Sequence, residues 1–599
     1  MMAEQPEEKQ NSLKFLFTNL WRYSVGNRHM VVGYWCMFIM AISLAIFVKP
    51  FLRARIIDIL QVYGVSDIGL AKLDWNLALL VLWELSFWFF HGPARCIENI
   101  NAFKARTNYR GYLVGGVMIM PIGWHNEHHS GDTIDKIEKG ANSIYDFSRN
   151  SFHIIYNVML LVGSGIMVGY QDLHSSLVVF IMFTFTACII MKFDSILYPR
   201  YRALSKAENN ISETVFDSIS NISTVIILRV EKIIFDTIMK SVKEPLKLFT
   251  DTTCLEELKW FLTAVCCRIM QSAVLWMYFH KYRSGNIALQ LGQVYLLIQY
   301  LENISETFFT FAGMYGDILK QKARVNNSEV LSKDFRGESF NNHVLPKNWK
   351  RLNVEKLNFS YEQEGEKLNL EDVSMEILRG EHIAYVGESG SGKTTSLIVI
   401  RNLYEARLEL YVDGRVVPSG FAGIARSIAL APQKPDIFAK TVRWNIDFGV
   451  PYAPEFVQKF IDMACFTDVV AKLPKGLDSV INEKGVNLSG GQCQRMAVAR
   501  ALLASHDKDI LLLDEPTSSI DTATEMQIYT NIFREFPDKA IISSIHRLHL
   551  LPLFDKICMF DNGKIIASGK LSELIATCPK FAALWESAKI VPENLAHSS

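Results

Sequence analysis

Six apolar runs crowd the first half of this 599-residue chain. They are Met30–Pro50, Trp75–Gly92, Phe152–Tyr170, Ser175–Phe193, Trp260–Phe279 and Ile287–Tyr315. A helix needs about 20 residues to cross about 30 Å of hydrocarbon, and each run is near that length. Soluble chains rarely carry six in succession, so the first half is read as an all-α, six-helix membrane domain. A positive mean hydropathy, +0.13 over so long a chain, fits that reading.

The connections between runs set the expected topology. The second–third connection carries Arg95, Lys104, Lys136 and Lys139, and the fourth–fifth carries Arg200, Arg202, Lys206 and Lys240. The turn between the third and fourth runs has no Lys or Arg. Basic residues in connections stay on the cytoplasmic side, which places both long connections and both termini in the cytosol. Arg53, Arg55 and Lys72 in the first external connection weaken the rule without reversing it. Both long connections keep helical periodicity, so the spans are expected to continue well past the membrane as helices.

Composition excludes other classes. Lys+Arg and Asp+Glu are equal at 62 each, which gives no support for a nucleic-acid partner. The ten Cys show no paired spacing and read as reduced, structural residues. The start, "MMAEQPEEKQ", is acidic and polar, unlike a signal or transit peptide.

Polar residues inside the spans invite functional readings. Glu84 and Arg268 lie at similar depth and are hypothesised to pair, within or between chains. Gln293, Gln299, Glu302 and Asn303 make a polar face on the sixth run, lining either the transport route or its mouth. His125, Glu127, His128 and His129 resemble metal ligands in type.

After Tyr315 the chain turns polar and rich in turn residues. The expected organisation is an N-terminal segment 1–28, a membrane domain 29–317, a linker 318–350, an α/β domain 351–588 and a tail 589–599. In the α/β part, "GESGSGKTT" follows an apolar strand and opens a helix. Gly387, Glu388, Ser389, Gly390, Ser391, Gly392, Lys393, Thr394 and Thr395 thus form a phosphate-binding loop. Its backbone N–H groups can close around phosphate oxygens, Lys393 can neutralise the β and γ groups, and Thr394 can ligate Mg²⁺. A second strand, "DILLLDEP", delivers Asp514, suited to Mg²⁺, and Glu515, placed to polarise a water in line with the γ-phosphate. Ser489, Gly490, Gly491 and Gln492 open another helix, whose N-terminus suits phosphate but lacks a lysine or a metal ligand. His546 ends a further strand, on the sheet edge where α/β sites lie.

Taken in order, these motifs resemble the nucleotide-binding domain of the ABC transporter superfamily, from about Arg351 to Ala588. The resemblance implies that Tyr361 stacks on adenine and that Gln433 belongs to a glutamine loop sensing Mg²⁺. "LSGGQ", Leu488–Gln492, is the family signature, and "SSID", Ser518–Asp521, resembles the loop that crosses between paired domains. His546 matches the switch histidine. Glu515, His546 and Gln433 are then the catalytic set, and Thr394, Gln433 and Asp514 the metal set. In that family two nucleotide domains pair head to tail, each signature capping the ATP held by the other. Six spans with long intracellular helices resemble the exporter-type half-transporters, and Ser130-Gly131-Asp132 stands in the first intracellular loop. Cys493, Asn482–Gly485 and "SSID" depart from the usual pattern without removing a phosphate, metal or water-activating group, so two active sites are expected.

The implied protein is a multidomain integral membrane ATPase of type IV exporter-like fold. It would use ATP and Mg²⁺, pair with a second copy or a paralogous half-transporter, and sit in a bacterial inner membrane. It would export an unidentified lipid, drug, peptide or metabolite. Two other readings keep the fold: uptake by an exporter-shaped protein, and an ATP-gated regulator or channel, against which intact Glu515 and His546 argue.

Overall fold

The computed structural model describes residues 12–128, 130–285, 289–335, 344–361, 369–481 and 488–590. The chain divides into two compact units, one of residues 1–119 and 129–335, the other of 120–128 and 336–599.

The first unit is helical. Its N-terminal elements are α1 (Ser12–Tyr23), α2 (Arg28–Ser43), α3 (Lys49–Tyr63) and α4 (Asp67–Met118). A π-turn over Leu44–Val48 joins α2 to α3. Such a turn frees a carbonyl, and here the Trp83 indole donates to Leu44 O at 2.9 Å. Asn76 likewise donates to Leu52 O at 2.8 Å. In a membrane each polar backbone group needs a partner of this kind, because lipid offers none. The short α5 (Ile122–Glu127) belongs to the second unit. The first unit continues with α6 (Ser130–Arg149), α7 (Ser151–Gln171), α8 (Leu173–Ser220), α9 (Ile222–Leu228), α10 (Glu231–Lys243), α11 (Leu246–Arg283) and α12 (Leu291–Lys333).

At 1.5 Å per residue the 52 residues of α4 extend about 78 Å and the 48 of α8 about 72 Å, far beyond a bilayer core. Along its length α8 packs on α11, while α2 packs on α4 and α12 on α6 and α7. Val168, Met270, Val274, Leu297, Tyr300 and Leu301 form one apolar core at these contacts.

The structure bears on three expectations and corrects the bounds of the linker. Only five helical segments among the described residues are long and apolar enough to cross a membrane. α12 falls short because Gln293, Gln299, Glu302, Asn303 and Glu306 dilute its apolar stretch. The same helix runs on to Lys333, so the front of the 318–350 segment is helix rather than linker. Its end is not a linker either, since Leu345 and Trp349 are buried in the second unit's core. Glu84 and Arg268 do not pair within the chain. Glu84 accepts from Trp88 Nε1 at 3.0 Å, and Arg268 donates to Gln271 Oε1 at 2.7 Å.

The polar face of α12 does have an ordered arrangement. Tyr295 donates to Gln299 at 3.2 Å, Gln299 to Asn303 at 3.1 Å, and Asn303 to Ser164 of α7 at 3.3 Å.

The second unit is α/β. A four-stranded antiparallel sheet has the order β2 (Leu370–Leu378), β1 (Arg351–Phe359), β4 (Arg407–Val412), β5 (Arg415–Val416). A six-stranded sheet has the order β10 (Lys564–Gly569), β9 (Lys556–Asp561), β3 (His382–Val386), β8 (Ala540–Ser544), β7 (Ile510–Asp514), β6 (Ile428–Ala431). All pairs in it are parallel except β10 with β9. The five residues of β7 and the five of β8 are entirely buried, as strands covered on both faces must be. β3 lies between β9 and β8, so loops from distant parts of the chain meet at its C-terminal end.

Candidate functional site

The phosphate-binding loop connects β3 to α13 (Lys393–Ile400). Gly387 has φ +152° and packs so closely on the sheet that a Cβ would come within 2.3 Å of Phe560 O. Gly392, at φ +108°, is the N-cap of α13. These two positions need glycine, for close approach and for backbone conformation respectively. Lys393 is buried, and its ammonium donates to Gly387 O at 2.7 Å and Glu388 O at 2.9 Å. Burial pulls its pKa below the ordinary lysine value, with Glu515 and Asp514 opposing that shift.

Asp514 closes β7 beside this loop. Thr394 Oγ1 donates to its Oδ1 at 3.0 Å, and Ser544 Oγ at 2.8 Å. Burial raises its pKa above the usual carboxylate range against those two hydrogen bonds. Ser544 escaped the sequence reading, although it stands two residues before His546 at the end of a buried strand.

Glu515 follows immediately, with φ +46°. A left-handed backbone costs a non-glycine residue roughly 1–2 kcal/mol, so surrounding structure must hold it. The carboxylate is bracketed on both oxygens. Gln433 Nε2 donates to Oε2 at 2.7 Å, and His546 Nε2 stands 2.6 Å from Oε1. The three predicted catalytic residues, 82 and 31 positions apart in sequence, therefore meet at one carboxylate. Gln433 touches Glu515 through its amide nitrogen, while Thr394 and Asp514 form the adjoining all-oxygen pair.

Tyr361 is half exposed at the edge of the loop, its hydroxyl 3.4 Å from Thr395 Oγ1. Its ring meets that of Tyr404 edge-on, with centroids 5.3 Å apart. Tyr404 was not anticipated, because a lone tyrosine after a helix carries no distinguishing pattern. Its hydroxyl accepts from Asn126 Nδ2 of α5 at 2.7 Å. Beside Asn126, the rings of Trp124 and His128 stack at 4.1 Å. No group of three His, Cys, Asp or Glu among the described residues could hold a metal, and His129 lies outside those residues.

Ser489 is the N-cap of α14 (Gly490–Ala504). Its hydroxyl accepts from Gln492 N at 3.3 Å, and Gln492 Oε1 accepts from Ser489 N at 2.9 Å, a reciprocal capping box. Gly491 lies against the following loop, where a Cβ would come within 2.7 Å of Ser519 O. Gln494 ties α14 to that loop, donating to Ser518 Oγ at 2.8 Å and accepting from Ser519 N at 2.7 Å. No hydrogen bond among the described residues joins 488–492 to 387–395. The structure thus assembles the cradle, the acid pair, Gln433 and His546, and leaves Ser489–Gln492 outside that cluster. "NEKG", residues 482–485, lies outside the described residues.

Comparison with known proteins matches both parts of the chain. The family described as "ABC transporter" matches residues 370–518, and that described as "ABC transporter transmembrane region" matches residues 32–307. An ATP-dependent lipid A-core flippase of Idiomarina loihiensis is 26% identical over 568 residues, covering 88% of this chain and 94% of that one. The lactococcin-G-processing and transport ATP-binding protein LagD of Lactococcus lactis is 28% identical, over 76% of this chain and 65% of its own length. The mitochondrial iron-sulfur clusters transporter ATM1 of Candida glabrata is 27% identical, over 77% of this chain and 64% of its own length. A solved bacterial Atm1-family ABC exporter with ATP bound superposes with a TM-score of 0.81 at 20% identity, over 94% of this chain and 98% of that one.

Proposed function

Since this chain belongs to the ABC transporter family, with the membrane and nucleotide-binding parts of an exporter half-transporter, we propose that it acts as a pair of identical chains. Each would supply half of two ATP sites. The chain is an integral membrane protein that binds ATP and couples its hydrolysis to transport. The observation that carries the pairing is the separation of the signature from the cradle: Ser489–Gln492 is bonded to its own helix and loop, while Gln433 and His546 gather on Glu515, and Thr394 and Ser544 on Asp514. A second feature points the same way. The tip of the fourth–fifth connection exposes Ile226, Ile227 and Leu228, apolar side chains that suit burial against a partner.

In the proposed cycle, ATP held by 387–395 is capped by the partner's copy of the signature. Glu515 takes a proton from the water that attacks the γ-phosphorus, the bond to the β–γ bridging oxygen breaks, and ADP and phosphate leave. Gln433 and His546 hold the Glu515 carboxylate in place for that water. Thr394 and Asp514, hard oxygen donors 3.0 Å apart, fit Mg²⁺. When bound, the ion would neutralise charge on the β- and γ-phosphates. ADP lacks the group that the signature caps, so it does not hold the closed state.

The proposed direction is outward, in a bacterial inner membrane with both termini in the cytosol. The names of the relatives, a flippase and transport proteins, support export over uptake. Their cargoes differ, so none is transferred to this chain.

The test mixes two variants. Chains carrying Glu515→Gln are combined with chains carrying Ser489→Arg, each inactive alone. A shared-site dimer regains ATPase activity in the mixture, because one site then has both an intact carboxylate and an intact signature. A self-contained site in each chain gives no recovery, and that result rejects the proposal.

A further inference from the structure

Four helices, α7, α8, α11 and α12, line a half-open cavity of about 980 Å³ in the first unit. A volume near the top of the range for small-molecule sites suits one drug-sized molecule. Aromatic rings dominate its walls, among them Phe183, Trp260, Phe308 and Phe311. Trp260 is itself stacked on Phe309, with centroids 5.6 Å apart, which holds the ring in place.

The charges on the wall do not cancel. Lys259 is buried, and its Nζ is 3.1 Å from Asp194 Oδ1 and 4.6 Å from the Trp260 centroid. That pair neutralises itself. Asp317 and Lys320 form an exposed pair at 4.0 Å. Glu256 remains. It lines the same cavity and has no ion-pair partner among the described residues. Its neighbour on α8 is Tyr201, which lines the same cavity. A carboxylate at the rim of an aromatic chamber is complementary to a cation whose body is flat and apolar: the rings attract positive charge through their faces, and the carboxylate attracts it directly.

We propose that this cavity binds an amphipathic organic cation, with Glu256 as its counter-charge and the Trp260–Phe308 wall as its apolar bed. Anionic amphipaths are disfavoured by the same carboxylate. This assigns a chemical class to the cargo, and it rests on the transport reading above. The binding itself needs neither ATP nor a second chain.

The test is therefore made on the full-length protein without nucleotide. Rhodamine 6G (cationic), Nile red (neutral) and fluorescein (anionic) are titrated while dye anisotropy and tryptophan quenching are followed. The expected result is that rhodamine 6G binds at least about tenfold more tightly than fluorescein. Glu256→Gln should lower rhodamine 6G affinity about tenfold and leave Nile red unchanged, while Glu256→Asp retains most of the preference. The proposal is overturned by unchanged rhodamine 6G affinity in Glu256→Gln, or by equal losses for the charged and neutral dyes. Charge-selective binding without ATP-driven transport would reject the function and leave the site standing.

Discussion

His546 Nε2 lies 2.6 Å from Glu515 Oε1, on the opposite side of the carboxylate from Gln433. The histidine is thereby coupled to the proposed water-activating group, and the two should fail in different ways. Glu515→Gln removes the base and should lower ATP hydrolysis by about two to four orders of magnitude, with ATP binding retained. His546→Ala leaves the base but frees its carboxylate, so a smaller loss is expected. Single-turnover hydrolysis beside fluorescent-ATP binding separates the two cases.

Asp514 offers a stability test with a definite sign. Burial raises its folded-state pKa, so over the window between about 3.8 and that raised value the folded chain binds more protons than the unfolded one. Stability from this group therefore falls as pH rises through the window, and at neutral pH the buried charge is a net cost. Asp514→Asn should raise the unfolding midpoint of the nucleotide-free protein at pH 7. The gain should vanish below about pH 3.8, where both states are protonated. ATPase activity should be lost at every pH.

Ser544→Ala removes one of the two donors to Asp514 Oδ1. With less stabilisation of the carboxylate, the acid limb of the ATPase pH profile should move to higher pH. Ser544→Thr keeps the hydroxyl and should keep the profile. A matching shift in both variants would show that the hydroxyl is not the cause.

Tyr404→Phe deletes the acceptor for Asn126 while keeping the ring against Tyr361. Basal ATP hydrolysis should stay within about twofold, and its stimulation by transported substrate should fall. Reconstituted ATPase assays with and without substrate read this directly. Asn126→Ala should behave the same way, and the double variant should be no worse than either single one.

At the start of α12, Gly292 N donates to Asp58 Oδ1 at 2.8 Å, and Gln61 bonds both Leu289 O and Leu291 N. Asp58 thus caps α12 from α3. Asp58→Ala should cost about 1 kcal/mol, seen as faster amide exchange over the first turn of α12. Gly292→Ala places a Cβ within 2.4 Å of the Asp58 carboxylate, so it should be harmful alone and milder in the Asp58→Ala background.

The sequence by itself determined the local devices. A glycine loop between a strand and a helix, an acid pair at a strand end, a Ser-Gly-Gly helix start and apolar runs of bilayer length are each written in contiguous residues. Their backbone conformations follow from those residues and their neighbours. Even the capping box of Ser489 and Gln492 follows from a three-residue spacing. What the tertiary structure decided is who meets whom. Gln433, Ser544 and His546 reach Glu515 and Asp514 because β7 pairs with both β6 and β8, and strand order depends on the whole core rather than on any segment. Tyr404 gained its place by packing alone, and Glu84 and Arg268 took separate neighbours within the chain. The helical path through 318–333 likewise depends on what α12 packs against. Burial against neighbours, not propensity, settled where that helix ends and which of its polar groups found partners.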